Sequence, residues 1–131
     1  SEKIKEIIKE NYNLIESFRK EMDEIKNELS ERINRLKIKD KRVIFVEPHR
    51  DIPVYKIEEM FDGDEWDILV VKYTKMNKYS CTTKIEFRSR DEDVQRIAKF
   101  FNGGGHKNAS GATINGLLTK IELVNALNLF L

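Results

Sequence analysis

The stretch WDILVVKYTK, Trp66 to Lys75, holds four consecutive apolar residues, Ile68 to Val71. Successive side chains of a strand point to opposite faces, so this strand is apolar on both sides and needs cover on both. The next run alternates cleanly instead. Tyr79, Cys81, Thr83, Ile85 and Phe87 face one way, while Ser80, Thr82, Lys84, Glu86 and Arg88 face the other. Arg88 therefore ends the polar face of a strand. With the short apolar strand RVIFVE (residues 42–47) and helices between, these runs predict an α/β domain with a small mixed sheet flanked by helices.

Helices are read from spacing and end signals. Asp51 is expected to cap a short helix with Pro53 in its first turn and Val54, Ile57, Met60 and Phe61 on one face. Ser89 to Glu92 matches a capping box ahead of the stripe Val94, Ile97, Ala98 and Phe101. Thr119 to Glu122 matches a second, ahead of Leu123, Ala126, Leu127 and Phe130. In residues 2–37 a seam runs through Ile4, Ile8, Asn11, Ile15, Phe18, Met22, Ile25, Leu29, Arg32 and Leu36. That 3.5-residue period predicts one long N-terminal helix, a linker or coiled-coil-like segment preceding a domain at 38–131. Its nine acids and nine bases leave no basic polar face of the kind a membrane-surface helix carries.

Bulk charge excludes little, since 24 Lys and Arg nearly cancel 23 Asp and Glu. Locally the balance differs: residues 75–107 hold eight bases against four acids. The single cysteine, Cys81, cannot form an internal disulfide and reads as a buried thiol; with no membrane span and no signal pattern, a cytoplasmic protein without a membrane partner is expected. The chain opens on Ser1 and enters helix at once, which fits a piece of a longer protein.

Four of the six glycines fall in FFNGGGHKNASG, around one of two histidines. Gly103 reads as a helix C-cap. Gly104 and Gly105, followed by His106, Ala109, Ser110 and Gly111, serve either a tight structural turn or a backbone cradle for an anion, with His106 and Arg88 adding charged donors. The spacing is neither a Walker phosphate loop nor a dinucleotide fingerprint.

The stretch RSRDEDVQRIAKFFNGGGHKNASG resembles the C-terminal DHH-associated domain of the DHH phosphoesterases, over residues 42–116. That superfamily includes RecJ-type exonucleases, NrnA-type oligoribonucleases and pAp phosphatases, cyclic-dinucleotide phosphodiesterases and inorganic pyrophosphatases. The resemblance implies a substrate-binding domain, inactive alone, in which Gly103, Gly104, Gly105 and His106 contact a phosphate and Arg88 binds the same or a neighbouring one. It implies as partners a single-stranded nucleic acid or nucleotide and a catalytic DHH domain of the same parent chain, which would hold Mn²⁺. Three positions depart from the pattern: Glu86 stands in place of a frequent Ser, Ser110 of the second Ala, and Asn102 of a frequent glycine. No catalytic residues or metal ligands are read in this chain; His49–Asp51 is not an Asp-His-His motif, and Asp62–Asp67 lacks the glycine and glutamate of a calcium loop. Two other readings stay open: a non-catalytic nucleotide-sensing module dimerised through residues 2–37, and a protein-interaction domain whose glycine loop is only a turn.

Overall fold

Ser1 opens the first helix, its hydroxyl accepting the Ile4 N–H at 3.3 Å in a computed structural model that describes all residues, 1–131. Helix α1 spans Glu2–Leu29, and the chain divides into two units, Ser1–Glu31 and Arg32–Leu131. The apolar seam of α1 leaves Ile4, Ile8, Ile15 and Phe18 exposed.

The predicted helix over 2–37 is too long. Residues Ile33–Ile38 form a strand, β1, which pairs antiparallel with β2 (Lys41–Val46) through a two-residue turn at Lys39 and Asp40. Both turn residues take positive φ, 46° and 69°, as tight hairpin turns of this length demand. Neither is the glycine or asparagine that normally announces such a turn, so the hairpin was masked by a chance continuation of the seam through Arg32 and Leu36.

Helix α2 (Val54–Glu58) crosses from β2 to β3 (Ile68–Met76), which lies parallel to β2. Pro53, not Asp51, is its N-cap; the Asp51 carboxylate instead meets Lys75 Nζ at 2.8 Å. β4 (Cys81–Ser89) returns antiparallel to β3. Its Ser89 belongs to the strand and donates its hydroxyl to the Glu92 carbonyl, so the anticipated capping box does not form. Helix α3 (Gln95–Phe100) starts later, with Asp93 Oδ1 accepting the Gln95 N–H at 3.0 Å. Then come β5 (Gly104–His106), β6 (Ala109–Asn115) and α4 (Lys120–Phe130), the last opened by the Thr119–Glu122 capping box.

The six strands run β1-β2-β3-β4-β6-β5, antiparallel except between β2 and β3. One face carries Val43, Phe45, Ile68, Val70, Ile85 and Phe87 into a core closed by Val94, Ile97 and Ala98 around α3 and by Leu123 and Leu127 of α4. Each large side chain buried here contributes roughly 1.5–3 kcal/mol. On the opposite face Ile44, Val46, Leu69 and Val71 are also buried, and the Tyr73 hydroxyl donates to the Ile52 carbonyl at 2.7 Å. Cover on that face stops at β4. Cys81, expected to be buried, is half-buried at the start of β4. No helix is long and apolar enough to cross a membrane.

The parallel pair β2–β3 is tied at its entrance by Asp67. Its carboxylate accepts the Arg42 backbone N–H at 2.7 Å and two guanidinium N–H groups at 3.2 Å. Those bonds hold the Asp67 carboxyl below its ordinary range. A depressed carboxylate stabilises the fold above its unfolded pKa of about 3.9 and loses that contribution as pH falls through the lower folded value. Asp67→Asn should therefore be less stable than wild type at neutral pH, with the gap closing below about pH 4 in urea unfolding. A gap that stays constant between about pH 6 and pH 2 would show that the carboxylate charge does not contribute.

Candidate ligand-binding groove

β6 sits between β4 and β5, and its exposed face is nearly bare. Register aligns Arg88, Ala109 and His106 in one row across β4, β6 and β5, and Glu86, Gly111 and Gly104 in the next. Lys84 pairs with Thr113 in a third. Residues in register share a face, so a floor of Ala109 and Gly111 lies between the long side chains of β4 and the edge strand β5. The result is an open cavity of about 560 Å³ lined by Lys84, Glu86 and Arg88, by Asn102 to Gly105, and by Ala109 to Thr113.

The segment anticipated as a loop is thus a β-hairpin, and several bonds hold it. Val94 N–H donates to the Lys107 carbonyl at 2.8 Å, Ser89 N–H to Asn108 O at 3.0 Å, and Gln95 Nε2 to Gly105 O at 2.7 Å. The Asn108 amide donates to Ser89 Oγ and to Arg90 O, both at 3.1 Å. On the core side Ser110 is buried, and its hydroxyl donates to Val94 O at 2.9 Å, so the serine that departs from the family pattern is absorbed by a hydrogen bond.

Each glycine has its own reason. Asn102, with φ 62°, supplies the left-handed residue that ends α3, so Gly103 is not the cap residue it was expected to be. Gly103 is glycine because a Cβ there would run into the Gly111 carbonyl oxygen and lie 2.7 Å from Ala112 Cβ. Its N–H donates to Ala98 O at 2.8 Å and is spent on the helix end, which removes it from any anion cradle. Gly105 has φ 138° and would place a Cβ 2.6 Å from Ala109 O. Gly104 differs: a Cβ there meets nothing within 4 Å. Its missing side chain leaves the groove open without relieving any clash.

Arg88 and Gly103 to Gly105 line this one cavity; His106 does not. His106 is exposed at the end of β5, on the same face as Arg88 but two strands away, about 10 Å at ordinary strand spacing. Arg88 is not a bare cation. Its Nη1 donates to Phe87 O at 2.9 Å and to Glu86 Oε2 at 3.2 Å, with both side chains about one-fifth exposed, 20% and 19%. Lys84 Nζ stands 3.5 Å from Glu86 Oε1. Glu86 and Lys84 also border a second cavity of about 290 Å³ with Tyr73, Lys75 and Asp51. Burial, helped by the Glu86 and Asp51 carboxylates, pushes the Tyr73 hydroxyl up to about 12, so it stays protonated. Sequence reading passed over Lys84 and Tyr73; the alternation of β4 put Lys84 on the face of Arg88, but nothing in the sequence located the partner strands.

No family model matches the chain, and no curated protein matches it by sequence. Solved structures share its fold. An uncharacterised protein from Helicobacter pylori G27 superposes with a TM-score of 0.55 at 19% identity, over 83% of this chain and 32% of its own. The pGpG-specific phosphodiesterase PggH from Vibrio cholerae gives a TM-score of 0.53 at 12% identity, over 77% and 36%. The chain therefore spans about a third of the length of these structures.

The glycine geometry separates fold from opening. Gly103→Ala should destabilise the domain by about 3 kcal/mol, and Gly104→Ala by less than about 0.5 kcal/mol, in urea or thermal unfolding. Equal losses at the two positions would contradict the backbone contact assigned to Gly103.

Proposed function

We propose that residues 32–131 hold a phosphate ester in this groove, as the substrate-binding domain of a DHH-family phosphoesterase whose catalytic half is a separate domain. The observation that carries the reading is Gly104: an open position, facing Gly111 across one row and adjoining the row of Arg88, where the fold itself asks for no glycine. Phosphate oxygens can lie against bare backbone there, while a guanidinium at the rim matches them with two parallel N–H groups. The fold shared with a phosphodiesterase supports the reading at the level of architecture.

In the parent enzyme this domain would position a nucleotide or the end of a single strand, and a metal-dependent centre elsewhere would hydrolyse the phosphodiester. No group of three His, Cys, Asp or Glu side chains in this chain is placed to hold a metal ion, and the proposal assigns that centre to another domain. Mn²⁺ belongs, in this proposal, to the catalytic domain. His106 reaches a ligand only if the ligand extends over the rim of β5.

Titration of the chain with a nucleoside monophosphate and with a short single-stranded oligonucleotide, followed by NMR or calorimetry, tests this. Gly104→Val and Arg88→Ala should each weaken binding by about tenfold or more while leaving the melting temperature near wild type. Wild-type affinity in both variants, or no binding at millimolar ligand, would refute it. The exposed Ile4, Ile8, Ile15 and Phe18 favour a second reading, self-association through α1. Sedimentation should then give a dimer for the full chain and a monomer for residues 32–131; a monomer in both cases removes that reading.

A further inference from the structure

The groove contains an anion of its own. Glu86 lies on the floor side of β4, its Oε2 only 3.1 Å from where a Cβ of Gly111 would stand, with Arg88 at 3.2 Å and Lys84 at 3.5 Å. Gly111 is bare because a Cβ there would lie 2.7 Å from the Ile85 carbonyl oxygen, and the carboxylate occupies the space this leaves beside it. Glu86 borders both cavities, so it stands where the groove beside Gly104 continues toward Tyr73 and Lys75. A ligand that lies along the groove passes over it.

Resting on the phosphate-ester reading above, we infer that Glu86 is a specificity-determining residue that admits nucleotides and rejects unbroken polyanions. A carboxylate offers only acceptors, and it repels a second anion placed against the same two cations. Polyphosphate presents a continuous row of charged oxygens with few protons to donate, so it must either push Glu86 off Arg88 or bind beside a like charge. A nucleotide brings one phosphate for Arg88 and also hydroxyl or amine donors that Glu86 can accept. The same carboxylate thus opposes one class and positions the other. Discrimination of this kind is built from a repulsive element as much as from an attractive one.

The test compares tripolyphosphate with guanosine 5′-monophosphate on the full chain. Wild type should bind the nucleotide more tightly. Glu86→Gln, which keeps the shape and removes the charge, should bind tripolyphosphate about tenfold more tightly and the nucleotide within about threefold of wild type. Glu86→Ser should shift the ratio in the same direction, which guards against a local repacking peculiar to glutamine. Unchanged tripolyphosphate affinity in both variants, or an equal gain for both ligands, overturns the role given to Glu86. If Gly104→Val and Arg88→Ala still weaken nucleotide binding about tenfold in that case, the groove stands and only the selector falls. If no protein binds either ligand, both proposals fall together.

Discussion

The approach of Gly103 to the Gly111 carbonyl decides how the right-hand half of the sheet is built. Two strands come this close only where neither has a side chain in the way. That contact seats β5 against β6, leaves the floor of Ala109 and Gly111 uncovered, and lets α3 end directly in a strand through Asn102. The groove is a by-product of this backbone packing, and the ligand reading depends on it.

The left half of the sheet rests on different physics. Ile44, Val46, Leu69 and Val71 are covered on one face, while Val43, Phe45, Ile68 and Val70 face the core on the other. Hydrophobic burial on both faces holds that half; the other is buried only on the α3 side, where Ala112 and Ile114 of β6 meet the core, and hydrogen bonds complete it. The division falls at β4, whose core side is Thr83, Ile85 and Phe87 and whose open side is Lys84, Glu86 and Arg88. One strand therefore buries alternate residues in the core and lines the groove with the rest.

Much of this was readable beforehand, for identifiable reasons. The apolar run at Ile68 to Val71 and the alternation through Ile85 and Phe87 are strong period signals, and both strands appear where expected, as does the mixed sheet. The capping box at Thr119 also forms. What failed was local chemistry that tertiary contacts override. Ser89 found Glu92 but as a strand end, Asp51 found Lys75, and Ile33 to Ile38 joined β2 although its spacing continued a helical seam. The glycine cluster was recognised, yet its division of labour was not legible. Whether a glycine relieves a clash or opens a space depends on strands that lie far apart in sequence. Glu86 was noticed only as a departure; that it would sit between Lys84 and Arg88 needed the register.

The wall formed by β5 has a further implication for how the domain breathes. Its three residues bring two glycines and an outward-facing histidine, so almost no apolar area locks it in place, and Gln95, Ala98 and a short ladder supply its hold. Opening this rim exposes little greasy surface and leaves the other five strands and the core intact, so it is among the least costly sub-global openings available to the fold. Amide protons of residues 104–106 are therefore expected to exchange with solvent by local fraying sooner than those of β3, and a ligand that bridges the rim to β4 would slow them first.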